Sequence, residues 1–97
     1  MPYVVHYLDK SDASKLRQQH REAHIAYRKE LGAKLLLAGP LLSEAGKPVG
    51  SLVLLEADSL ADARRMAQSD PYAVAGLFGQ ILVHAYKIMA MNIPPRG

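Results

Sequence analysis

Two segments of helical period, each flanked by short apolar runs, fix the order of elements along this chain. Tyr3 to Leu8 (YVVHYL) lies between Pro2 and the polar Asp9-Lys10 and predicts a strand. Ser11 or Asp12 then offers an N-cap. Ala13, Leu16, His20, Ala23, Tyr27 and Leu31 recur in steps of three and four, which predicts an amphipathic helix stopped by Gly32. Lys34 to Ala38 (KLLLA) predicts a second strand ended by Gly39-Pro40, and residues 42–48 carry the turn chemistry of a hairpin. Gly50 to Ala57 predicts the third strand. Ser59 with Asp62 resembles a capping box and opens a second helix to about Ser69. Asp70-Pro71 starts another turn of helix, because Asp caps well and Pro suits the first helical position. Ile81 to Met91 (ILVHAYKIMAM) predicts the last strand, stopped by Pro94-Pro95.

The resulting order is β-α-β-β-α-β. It predicts an α+β fold of ferredoxin-like topology, a four-stranded antiparallel sheet with both helices on one face. At 97 residues the chain is one domain, 1–97, with a core modest enough for a partner subunit to matter. The helix-free face should be solvated and alternate apolar with polar residues. It does not. Strand three carries Val53 and Leu55 on one side but Leu52 and Leu54 on the other; the last strand sets Ile81, Val83 and Met89 against Leu82, Tyr86 and Ile88. An apolar sheet face needs a cover, and a second copy packed sheet to sheet predicts a homodimer.

Composition closes several functional classes. There is no Cys, so disulfides, thiolate nucleophiles and cysteine-ligated metal or iron–sulfur sites are excluded, and there is no Thr. The amino terminus lacks the pattern of a signal peptide and no apolar run is long enough to span a bilayer, which predicts a cytoplasmic protein without a membrane role. No glycine-rich phosphate loop or dinucleotide fingerprint occurs, and no cofactor is expected. The fold class also hosts RNA-recognition modules with stacking aromatics on central strands, but strand three has none, so nucleic acid is not an expected partner. The net charge of +3 is compatible with a small anionic molecule and decides nothing alone.

The first helix concentrates the chemistry. At about 100° per residue, His20, Leu31, Tyr27 and Leu16 fall on one side of His24, and Arg17, Arg28 and Arg21 on the other. His24 thus stands on the seam between an apolar and a cationic stripe, where a neutral imidazole can accept a proton and the arginines can hold an anion. A packed histidine beside solvated arginines fits the same pattern. Asp70 is explained as an N-cap, and equally as the carboxylate that orients an imidazole. His20 and His24, four apart, have a spacing that can bind metal, but Glu22 is misplaced for a zinc-protease motif and no third ligand is evident. His6 and His84 lie on strands that pair in this topology, with the register open.

Arg21-x-x-His24, Ala38-Gly39-Pro40-Leu41, Gly50-Ser51-Leu52, Asp70-Pro71-Tyr72 and Ala75-Gly76-Leu77-Phe78 occur together and in order over nearly the whole chain. In these motifs the chain resembles the YCII-related (YciI-like) family. The resemblance implies a dimeric α+β barrel with clefts near the subunit contact. It also implies His24 and Asp70 as a catalytic pair, with Arg21, Gly39, Ser51 and Tyr72 on the substrate. The resemblance implies an enzyme of unassigned activity, the best-understood kind of relative eliminating HCl from a chlorinated hydroxyquinol; lyase or isomerase chemistry suits the pair itself, because proton abstraction and return needs no cofactor. A metabolite-binding or regulatory module, and a monooxygenase-like member of the barrel group, are the alternatives.

Overall fold

A computed structural model describes residues 1–93. The elements are β1 (Pro2–Asp9), α1 (Ser14–Leu31), a 3₁₀ turn (Gly32–Lys34), β2 (Leu35–Leu42), β3 (Pro48–Glu56), α2 (Leu60–Gln68), α3 (Pro71–Val74) and β4 (Phe78–Ala85). The strands form one antiparallel sheet in the order β2-β3-β1-β4, the ferredoxin-like arrangement. Among the described residues no helix is long and apolar enough to cross a membrane.

Period-2 alternation makes the core. On β1, Tyr3, Val5 and Tyr7 are buried and meet Val53 and Leu55 of β3, while Ala63 and Ala67 of α2 close the layer from above. Tyr72, Leu77 and Phe78 fill the end of this layer. Each fully buried Val or Leu side chain here contributes about 1.5–3 kcal/mol.

The opposite face is apolar, as the strand patterns imply. The register aligns Leu37, Leu54, Val4 and His84 in one row and Gly39, Leu52, His6 and Leu82 in the next. Leu37, Leu52 and Leu82 are each exposed there. His6 and His84 are therefore diagonal neighbours two strand positions apart, not a directly paired couple.

Several boundaries differ from the sequence expectation, and the larger shifts have physical reasons. Helix α1 begins after Ala13, which is buried and makes no side-chain cap; Asp12 takes a left-handed turn at φ 58° to deliver it. Strand β2 runs through Gly39-Pro40 to Leu42, because an edge strand tolerates a proline that donates no hydrogen bond. The last strand is shifted: it begins at Phe78 and stops at Ala85, with one further bond from Tyr86 N–H to the Pro2 carbonyl. There β1 ends, so the apolar run from Tyr86 has no strand to pair with and Met89, Met91 and Ile93 lie exposed. The expected stop at Pro94-Pro95 lies outside the described residues.

Candidate active site

Helix α1 has one buried residue along its length, and it is His24. An amphipathic helix normally buries leucines on its inner stripe. Here Leu16, Tyr27 and Leu31 are only partly covered, and the imidazole takes the deepest position. It is held from both sides. Its Nδ1 donates to the Asp70 carboxylate, 2.8 Å from Oδ1 and 3.0 Å from Oδ2. Its ring stacks on Tyr72 at 4.0 Å between centroids and 12° between planes.

Asp70 performs two tasks at once. It caps α3, accepting from the Tyr72 backbone N–H at 2.9 Å with Pro71 at the first helical position, and the same Oδ1 accepts from His24. The sequence offered capping and imidazole orientation as rival explanations; the geometry satisfies both, and a carboxylate at an N-cap has the acceptors to do so.

With Nδ1–H given to a carboxylate, the ring of a neutral His24 carries its lone pair on Nε2. No protein partner meets Nε2 among the described residues. No buried side-chain nitrogen or oxygen among them lacks a partner either, so Nε2 reaches the solvent of the adjoining cavity. That cavity, about 210 Å³, is lined on the α1 side by Arg17, Arg21, His24, Ile25 and Arg28, and across from them by Pro40, Pro48, Ser51 and Tyr72. It opens on the helix side of the sheet, with the thickness of the sheet between it and the apolar face.

The three arginines are not equivalent. Arg17 grips Asp9 with two bonds, Nε to Oδ2 at 2.7 Å and Nη2 to Oδ1 at 2.9 Å, and Nη2 also reaches the Gly50 carbonyl at 3.3 Å. Its charge is spent on that pair. Arg21 and Arg28 have no ion-pair partner among the described residues. Their charges are felt at the site: burial raises the pKa of the Tyr72 hydroxyl above its ordinary value, while Arg17, Arg21 and Arg28 pull it the other way.

Two further tyrosines position the pair, and sequence reasoning passed over both. The Tyr7 hydroxyl donates to the Ala67 carbonyl at 2.9 Å, and the Tyr27 hydroxyl to the Met66 carbonyl at 2.7 Å. These consecutive carbonyls belong to the last turn of α2, just ahead of Asp70, so β1 and α1 together pin the corner from which the carboxylate is presented. The available signal was Tyr7 on the core face of β1, since a buried tyrosine hydroxyl must find an acceptor.

Of the residues expected on the substrate, Arg21, Ser51 and Tyr72 line the cavity beside His24. Gly39 does not: it pairs with Leu52 and lies in a row of the apolar face. Its neighbour Pro40, which pairs with Ser51, occupies the lining instead. The single-residue alternation of a strand separates the two. Among the described residues no three His, Cys, Asp or Glu side chains gather in a metal-binding cluster.

The YCII-related domain model matches residues 1–87. This chain belongs to the YCII-related family. Protein YciI of Escherichia coli O6:H1 is 35% identical over 95 residues, spanning 90% of this chain and 97% of that protein. A Haemophilus influenzae member, described as an uncharacterized protein, is 35% identical over 96 residues, spanning 90% and 97%. Among solved structures, this YCII-related chain is similar to 5-chloro-2-hydroxyhydroquinone dehydrochlorinase (TftG) from Burkholderia phenoliruptrix AC1100, in complex with 2,5-dihydroxybenzoquinone. The TM-score is 0.84 at 28% identity, over 90% of this chain and 94% of that one. A Deinococcus radiodurans protein, described as a candidate antibiotic biosynthesis monooxygenase, shares the fold at TM-score 0.52 and 22% identity, covering 98% and 100%.

Proposed function

We propose that the protein is a small-molecule enzyme of lyase or isomerase type in which His24 moves a proton at Nε2 and Asp70 orients and balances it. The observation that carries this reading is the buried Nδ1–carboxylate contact of 2.8 and 3.0 Å, made by a ring whose other nitrogen faces a cavity. Asp70 fixes the tautomer, so the lone pair points at the substrate before it binds. Once Nε2 has taken a proton, the imidazolium lies against a fixed anion on one edge and the Tyr72 face on the other, with no reorganisation to make.

Such a pair runs proton abstraction and return without an external co-reactant. Returning the proton to a neighbouring atom is isomerisation; expelling a leaving group from the carbanion or phenolate is elimination. Loss of HCl is one case: the proton goes to Nε2, the electron pair forms the new double bond, and chloride departs. The likeness to a dehydrochlorinase at TM-score 0.84 favours elimination within this class. The substrate is small and anionic, held beside Arg21. The monooxygenase reading rests on a likeness that carries the fold alone.

The test uses a substrate found by screening, beginning with 5-chloro-2-hydroxyhydroquinone. His24→Ala should lower turnover by roughly 10²–10⁴, the usual contribution of a general base. Unchanged turnover would end the proposal, and a ligand recovered chemically unaltered after long incubation would favour a binding module.

We also infer that the apolar sheet face is covered by a second copy. Leu37, Leu52 and Leu82 are exposed on this face, Leu52 and Leu82 on either side of His6, and Ile88, Met89 and Met91 of the run after β4 are exposed as well. Monomers rarely leave such a surface to water.

A further inference from the structure

We propose that the substrate is a doubly acidic small molecule, bound by Arg21 and Arg28 as two separate prongs on either side of His24. The inference rests on the acid/base reading of this cavity and adds what the cavity selects.

Of the three arginines on the lining, Arg17 is withdrawn by its two-bond pairing with Asp9. The remaining two bracket the histidine in sequence, three residues before it and four after, so all three side chains share one helix face. Seven residues of α-helix separate their Cα atoms by about 10 Å. Two guanidinium groups held in this way on either side of His24 carry two positive charges with no protein anion to balance them, and a ligand with two acidic groups set apart meets both.

The rest of the lining argues the same way. Asp70 is absent from it, so the cavity presents no uncompensated carboxylate to repel a dianion, and Asp9 is neutralised by Arg17. Pro40, Pro48 and Ile25 supply apolar wall, and Ser51, with no protein partner for its hydroxyl among the described residues, adds a neutral donor. Two guanidinium groups over an otherwise neutral wall form a site that a monoanion leaves half satisfied. Guanidinium suits this task because its planar fork meets carboxylate or phenolate oxygens with paired bonds.

The experiment measures binding, independent of turnover. Succinate, adipate and terephthalate are each titrated beside their monomethyl esters by calorimetry, with the His24 and Tyr72 resonances followed by NMR to place the ligand. A diacid of the right span should bind roughly ten- to hundredfold more tightly than its ester, the worth of one hydrogen-bonded charge. Arg28→Gln and Arg21→Gln should each erase that margin while leaving ester affinity unchanged. Lys29→Gln, which removes an equal charge from an exposed position on the same helix, should keep it. Equal affinity of diacid and ester overturns the proposal, as does a margin that survives both arginine substitutions, or no saturable binding by any of the three diacids. Arg21 is exposed and Arg28 half-buried, and the wild-type comparison of diacid with ester stands without any variant. His24→Gln separates this inference from the catalytic one. Diacid preference retained with turnover lost supports both; turnover retained refutes the proton-transfer reading and leaves the binding result to be judged by its own margin.

Discussion

Replacing Asp70 by Asn preserves the shape of the side chain and removes both its charge and one of its acceptors. In the native arrangement Oδ1 accepts from the Tyr72 N–H at 2.9 Å and from His24 Nδ1 at 2.8 Å, with Oδ2 at 3.0 Å from the same nitrogen. The Tyr72 N–H dictates which way an amide turns, since the NH₂ cannot face another donor at that distance. The NH₂ therefore takes the place of Oδ2, 3.0 Å from Nδ1, while Oδ1 still accepts from Nδ1–H. The side chain then no longer enforces one tautomer: a ring that accepts from the NH₂ at Nδ1 carries its proton on Nε2, which fills the lone pair that faces the cavity. The missing charge acts in the same direction. A unit charge about 3 Å from an imidazolium is worth on the order of 5 kcal/mol at an effective dielectric of about 20. Turnover should then fall by roughly 10²–10⁴, equivalent to about 3–5 kcal/mol. Asp70 does not line the cavity, so KM should change little and the loss should appear in kcat. Long-range ¹H–¹⁵N correlation of the His24 ring supplies a readout that needs no substrate: the Nε2–H tautomer should gain population at the expense of the Nδ1–H one. Native turnover in this variant, or a rise confined to KM, would refute the reasoning.

Three other perturbations test separate parts of the molecule. A Cβ at Gly50 would stand 2.3 Å from the Tyr7 carbonyl oxygen across the β1–β3 ladder, so Gly50→Ala should cost about 2–3 kcal/mol in urea unfolding; an unaltered midpoint would show that the strands yield. Leu52→Glu, in the middle of the apolar face, should give a monomer by sedimentation where the wild type is a dimer, and a wild type that is itself monomeric at micromolar concentration removes the subunit contact altogether. Burial first, and the Asp70 carboxylate second, push the Tyr7 hydroxyl pKa far above its ordinary 10.0. The folded state therefore keeps a proton that the unfolded chain loses. Stability from this group is complete below pH 10 and declines above it by about 1.4 kcal/mol per pH unit. Tyr27 and Tyr72 are raised for the same first cause and add in the same direction. Chemical denaturation at pH 9 and pH 11 checks the sign, and equal stability at both would contradict it.

The order of elements and the apolar second face of the sheet were legible because period 2 and period 3.6 are written residue by residue. What escaped the sequence were the boundaries that depend on a neighbour. Nothing local says that β4 must stop at Ala85: its apolar run continues, and only the end of β1 terminates the ladder. Nor does Gly39-Pro40 announce that it lies on an edge, where a proline is harmless. At the site, the helical wheel put His24 on the seam of its stripes, yet its burial and the bond to Asp70, 46 residues away, are products of α3 docking on α1. The same wheel grouped Arg17 with Arg21 and Arg28; only the fold shows Asp9 taking Arg17 out of the set.

Burial of an imidazole and a carboxylate in a chain this short invites the question of whether the pair serves stability or chemistry. A buried ion pair is a poor stabiliser, because desolvation of both groups offsets their attraction, whereas removing one partner strands the other at a cost of about 3–5 kcal/mol. The two roles predict opposite outcomes for a matched replacement. In His24→Phe/Asp70→Ser the hydroxyl still caps α3 at the Tyr72 N–H, and the larger ring stacks on Tyr72 while filling the space left by the carboxylate. If the pair exists for proton transfer, the double variant should be within about 1 kcal/mol of wild type or more stable, and inert. His24→Phe alone should be the least stable of the series, since it leaves the Asp70 carboxyl without its imidazole partner in a site only 5% exposed. A double variant as unstable as that single one would mean that the contact is a structural tie, and that its place beside the cavity is incidental.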